Sequence, residues 1–163
     1  MDEETKILIG TISGFIIAFF AEPVKTFFQT ISRRKNLRRM LYQEVFENYS
    51  RLKNIEGDEG SGNVFKKVAS SFVKMDRYKY AITSEIAIYY QVREAVSFNM
   101  LYATIQNLLE IDLSPKMRNG LIKLYSIKLS KAVESGDIDI KYLTKLRTKS
   151  EVNSLLNQIK TEL

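Results

Sequence analysis

The chain has 163 residues and a formal net charge of +6, with no cysteine and no histidine. Those two absences exclude disulfides, thiolate zinc sites and cysteine nucleophiles, together with the commonest general base and metal ligand. Residues 1–32 carry −2, which leaves +8 for the remainder and points to an anionic partner such as lipid headgroups or a polyanionic ligand.

The first element dominates the sequence. Ile7 to Phe20 is a run of fourteen residues without a charge. It covers about 21 Å as a helix, short of a bilayer core of roughly 30 Å. Apolar character continues through Val24, Phe27, Phe28 and Ile31, and five basic residues then close the segment: Arg33, Arg34, Lys35, Arg38 and Arg39. This is a stop-transfer flank and a membrane-surface set, and the positive-inside rule keeps the chain after Arg33 in the cytoplasm. The start is acidic (Asp2, Glu3, Glu4), unlike a cleaved signal peptide, so the expectation is an uncleaved anchor over 1–32 with its N-terminus outside. A central helix of a soluble bundle is the alternative.

Within the anchor, Gly10, Gly14 and Ala18 form a small-residue row that lets helix backbones approach closely. A polar row runs down the same broad side: Thr11, Gly14, Ala18, Glu22, Lys25, Gln29 and Ser32. It reads as the wall of an oligomeric pore, lined or gated by Glu22, Lys25 and Gln29, because ionisable groups in a span usually face a bundle interior or water. The bland reading has Lys25 snorkelling at headgroup depth and pairing Glu22. Pro23 removes one backbone donor and tends to kink the helix or to open a second one.

The helix is expected to continue as a basic stalk over 33–56. Leu37, Leu41, Val45, Tyr49 and Leu52 recur at helical spacing, with Met40 beside them and Arg38, Gln43, Glu47 and Arg51 opposite. Gly57 to Asn63 is an acidic, glycine-rich loop, whose spacing fits no known calcium pattern. A helical bundle then occupies 64–163. Its first helix, Val64–Tyr80, carries Lys66, Lys67, Lys74, Arg77 and Lys79 against the single acid Asp76, interleaved with Phe65, Tyr78 and Tyr80. Basic residues bind phosphates and aromatics stack on unpaired bases, so Lys66, Lys67, Lys74, Arg77, Tyr78, Lys79 and Tyr80 form the candidate nucleic-acid or nucleotide site. An ordinary amphipathic helix with a solvated basic face is the competing reading.

Thr83 or Ser84 is expected to cap a long helix running to about Ile111, apolar on several sides through Ile86, Tyr89, Tyr90, Val96, Met100, Ala103, Ile105 and Leu108. Ser114-Pro115 opens the next helix, which buries Met117, Leu121, Leu124, Tyr125 and Leu129 and stops at Ser135-Gly136-Asp137. Asp137 and Asp139 read as a helix start rather than a metal pair. Ser150 caps a last helix with the stripe Val152, Leu155, Leu156, Ile159 and Leu163. The fold class is therefore all-α: an N-terminal transmembrane helix continuing into a cytoplasmic helical bundle.

The span running into AEPVKTFF, the flank RRKNLRRMLYQEV and a helical domain containing SEIAIYYQVREAV together resemble small single-pass membrane effectors of bacterial anti-phage defence, with the Hailong-type channel effector most similar in layout. The resemblance implies a homo-oligomeric inner-membrane channel held closed by a nucleic-acid ligand. A partner nucleotidyltransferase makes that ligand, and infection opens the channel and permeabilises the membrane in abortive fashion. No cofactor and no metal are expected. A membrane-tethered adaptor without a pore, holding anionic lipid or a protein partner, is the alternative; an enzyme is the poorest reading, without histidine, cysteine or a glycine-rich phosphate loop.

Overall fold

The computed structural model describes residues 2–57, 65, 69–110, 113–139, 142, 154 and 157. Most of the expected glycine-rich loop, the candidate residues Lys66 and Lys67, and the expected last helix from Ser150, apart from Ser154 and Asn157, lie outside the described residues. The described elements are all helical: α1 (Glu3–Asn54), α2 (Asp76–Ser84), α3 (Ile86–Tyr89), α4 (Ala95–Glu110) and α5 (Pro115–Glu134). The chain divides into two compact units, Met1–Asn36 and Leu37–Leu163, and α1 contributes to both.

The first unit is helix from Glu3 onward, and Pro23 does not interrupt it. Among the described residues one helix is long and apolar enough to cross a membrane, and this is it. Its large side chains, Ile7, Ile12, Phe15, Ile17, Phe19, Phe20, Val24, Phe27 and Phe28 among them, are all exposed. A contiguous apolar surface of this kind marks a lipid or protein contact rather than a solvated face. Thr11, Thr26 and Thr30 donate their hydroxyls to the carbonyls of Ile7, Glu22 and Thr26, each at 2.9 Å, so these groups are satisfied within the helix. Glu22 and Lys25 are both exposed and form no ion pair with each other, so the expected pairing is not made.

The second unit is built on the C-terminal half of α1. The expected stripe Leu37, Leu41, Val45, Tyr49 and Leu52 is buried, and Tyr42 and Phe46 widen it. Phe98, Leu101, Tyr102, Ile105 and Leu108 of α4 and Ile122, Tyr125 and Leu129 of α5 join it in the core. The two helices pack on each other, as do α2 and α3. Tyr125 donates its hydroxyl to the Val45 carbonyl at 2.9 Å, and Tyr102 donates to Glu44 at 2.7 Å, so both α4 and α5 are tied to α1 by buried hydrogen bonds.

The ends of α5 follow from local chemistry. Ser114 accepts from the Met117 N–H at 3.4 Å, and Pro115 occupies the first turn, where its missing donor is not needed. At the other end Ser135 is the cap, and Gly136 takes φ 75°, a left-handed conformation that favours glycine. Asp137 accepts from the Ser135 hydroxyl at 2.6 Å, so it belongs to the close of α5.

Two expected helices are each broken. The first, over 64–80, leaves helical geometry at Val73, Lys74 and Met75 before α2 begins. The reason lies on α1: the Asn48 amide takes both backbone groups of Lys74, donating to its carbonyl at 2.6 Å and accepting from its N–H at 2.9 Å. The second, over 83–111, is interrupted between Tyr89 and Ala95. Thr83 caps nothing there, since its hydroxyl donates back to the Lys79 carbonyl inside α2. Tyr89, Val92 and Glu94 are all buried. At about 100° per residue, one straight helix would put Val92 and Glu94 on opposite sides, so the turn is what buries both.

Candidate functional site

Three polar residues one turn apart on α1 organise the segment 72–78. Arg51 donates to the Phe72 carbonyl at 2.9 Å, and Asn48 holds both backbone groups of Lys74. Glu44 accepts from the backbone N–H groups of Arg77 at 2.9 Å and Tyr78 at 3.1 Å. The cap residue of α2, Met75, offers no side-chain acceptor. Glu44 therefore caps α2 from a different helix, satisfying two orphan donors with a carboxylate at the positive end of the dipole. Glu44 is itself 1% exposed, and Tyr102 supplies its third hydrogen bond.

The candidate ligand residues take different roles around this segment. Lys74 and Arg77 line a hollow of about 260 Å³ together with Arg51, Glu44, Glu47 and Asp76. Among the described residues that line it, acids and bases are equal in number. Arg77 points its guanidinium at the Met40 carbonyl, at 3.4 Å. Tyr78 is not presented for stacking on a ligand. Its ring lies on Tyr102 with centroids 4.1 Å apart and planes 10° apart, and its hydroxyl donates to Asn99 at 2.9 Å. Lys79 and Tyr80 are exposed, with the Tyr80 hydroxyl 3.2 Å from Glu85. The described part of the set is thus split between an exposed pair and residues bound into the fold.

The membrane-surface set is split as well. Arg33, Arg34, Lys35 and Arg39 are exposed, whereas Arg38 is half-buried. Its Nε donates to both carboxylate oxygens of Glu94 at 3.0 Å, and its Nη2 pairs with Glu94 Oε1. The guanidinium lies 4.1 Å from the Tyr142 ring centroid, and Asp139 is 3.8 Å away. Tyr42 completes the cluster: its hydroxyl donates to Glu94 at 2.9 Å and accepts from the Asp139 N–H at 2.6 Å. Burial alone would lower the Arg38 pKa, but Glu94 outweighs it and holds Arg38 above its usual value. The cluster joins α1, the 90–94 turn and the segment after α5. Nothing in the local sequence pattern announces it, because its members lie far apart in the chain.

No protein-family model, no curated protein and no solved structure matches this chain. Among the described residues, no group of three or more acidic side chains is arranged to hold a metal ion.

Tyrosines give the bundle a distinct response to base. Burial, then the charge of Glu94, raises the Tyr42 pKa; burial, then the charge of Glu44, raises those of Tyr102 and Tyr125. Burial, then coupling to Tyr78, does the same for Tyr89. In each case the folded value lies above the ordinary value of 10.0, so the unfolded chain releases these protons first. Stability from these groups is full below pH 10 and falls as pH rises beyond it. Tyrosinate absorbance should therefore rise together with loss of helicity in one alkaline transition. Smooth titration of all the tyrosines near pH 10 with helicity intact would contradict the buried placements.

Proposed function

We propose that this chain is a membrane effector of bacterial anti-phage defence. It forms a homo-oligomeric, ligand-gated channel in the inner membrane, single-pass, with its N-terminus outside and its bundle in the cytoplasm. The bundle binds a nucleic-acid or nucleotide ligand, supplied by a partner nucleotidyltransferase as the family resemblance implies, and loss or change of that ligand permeabilises the membrane.

The observation that carries this reading is the first unit. A simple anchor needs only apolar surface, yet this helix also presents Glu22 and Lys25, exposed and without an ion pair to each other, on the row that includes Thr11 and Gln29. Charged groups in a span are expensive unless they face one another, a water path or a headgroup layer. Packing copies through Gly10, Gly14 and Ala18 gathers the polar rows around a common axis. The exposed basic residues Arg33, Arg34, Lys35 and Arg39 support the topology.

The adaptor reading draws on the balanced charge around Lys74 and Arg77 and on the internal use of Tyr78. Purification of the full chain in a mild detergent separates the two. A channel gives a mass of several subunits, because two helices cannot enclose a path, and carries nucleic acid seen as a raised 260-to-280 nm absorbance ratio. A monomer free of nucleic acid would favour the adaptor and remove the channel reading.

A further inference from the structure

The exposed face of α5 carries a hollow lined by none of the described residues of α2. Pro115, Lys116, Asn119, Gly120 and Lys123 line a shallow hollow of about 630 Å³. Their spacing puts all five on one side of the helix over its first turns. Among the described residues no carboxylate lines the hollow, in contrast to the one around Lys74 and Arg77, where three do. Lys116 and Lys123 are exposed and form no ion pair among the described residues. They stand about 10 Å apart along the helix, at about 1.5 Å rise per residue.

Two further details sharpen the chemistry. Asn119 accepts the Gly57 N–H on its Oδ1 at 3.0 Å. With the oxygen engaged, its amide NH₂ is the half left to a ligand, and that half only donates. Gly120 sits in the interior of a 20-residue helix, where glycine is unfavourable relative to alanine. Among the described residues nothing lies within 4 Å of where its side chain would be, so neither their packing nor the backbone conformation accounts for it. What the missing side chain provides is open floor between two lysines. A site with cations at both ends, a neutral donor between them, no carboxylate among the described lining residues and an open floor is suited to an elongated anion.

We propose that this hollow binds a ligand carrying two or more linked phosphates, with Lys116 and Lys123 each taking one phosphate and Asn119 donating between them across Gly120. The site does not depend on the channel reading or on the candidate residues of α2.

The test uses the full chain in neutral-detergent micelles, titrated with sodium tripolyphosphate by calorimetry against sodium sulfate at equal ionic strength. Saturable binding of tripolyphosphate is expected. Each lysine removed, as Lys116→Ala or Lys123→Ala, should weaken it about tenfold, the usual scale for one charge-assisted hydrogen bond. Gly120→Leu should raise the melting temperature of the ligand-free protein, because leucine is the better helix former, and yet weaken binding severalfold. Those opposite signs separate a blocked site from a damaged fold. Competition by added cardiolipin, whose two phosphates are joined through glycerol, where phosphatidylcholine has no effect, assigns the physiological phosphates to lipid headgroups; absence of competition assigns them to a soluble ligand. No saturable binding, or unchanged affinity in Lys116→Ala/Lys123→Ala or in Gly120→Leu, overturns the assignment.

Discussion

Replacing Arg38 with methionine is expected to lower the stability of the bundle by about 3–5 kcal/mol, the scale for removing one partner of a buried ion pair. The cost falls on Glu94, whose side chain is 1% exposed and, among the described residues, would keep the Tyr42 hydroxyl as its one partner. Glu94→Gln should cost less, about 1–2 kcal/mol. Arg38 is 26% exposed at its side chain and retains the Tyr142 ring and Asp139. The double variant Arg38→Met/Glu94→Gln should recover part of the loss, since no uncompensated charge then stays buried. Urea denaturation of the full chain in detergent, followed by far-ultraviolet circular dichroism, measures all three. Equal costs for the two single variants would mean that water reaches Glu94 and that the pair is a surface one.

This pair also explains why part of the fold is legible in the sequence and part is not. Signals confined to a few neighbouring residues read correctly: Ser114-Pro115 opens α5, Ser135-Gly136 closes it, and the stripe from Leu37 to Leu52 is buried. Helical spacing suffices for these because cap, turn and stripe act within one or two turns. Arg38, in contrast, groups by sequence with the membrane-surface residues, because its neighbours are basic. Its partner Glu94 lies 56 residues away, in a turn that helical periodicity runs straight through. The uncharged run of α4 suggests a central helix, yet Val96 and Met100 are exposed while Phe98 and Tyr102 fill the core. An uncharged face and a buried face cannot be told apart without the partner.

The candidate site shows the same division. Lys74, Arg77 and Lys79 stand out because a run of basic residues is a local feature. Glu44 and Asn48 do not, although they decide what those residues can do: one caps α2 and the other ends the helical turn before it. Their spacing with Arg51 on α1 is a usable signal, three polar residues at helical steps of four and three that border the core stripe. Periodicity alone assigns Arg51 to solvent and gives the other two no role. Tyr78 reads as a stacking residue on its type alone, and a tyrosine stacks as readily on Tyr102 as on a base.

The other large effect is expected in the first unit, from Gly10→Leu/Gly14→Leu. Both glycines are exposed, and a side chain built at either meets nothing within 4 Å among the described residues. Among those residues, therefore, the substitution removes no contact and creates no clash within one chain. It replaces the poorest helix former after proline with one of the best, which can only strengthen α1 as a single helix. Any loss of assembly must then come from contact between copies. Small residues at this spacing let backbones meet closely, and two leucines would hold them apart. The expected result is a helix content at least that of the parent, normal membrane insertion, a collapse of the oligomer mass in detergent, and loss of dye leakage from cells that express the protein. Full leakage together with a parental mass would show that Gly10 and Gly14 face lipid and that copies associate through other surfaces. Leakage lost with the mass unchanged would place the two glycines on the conducting path instead of at the contact.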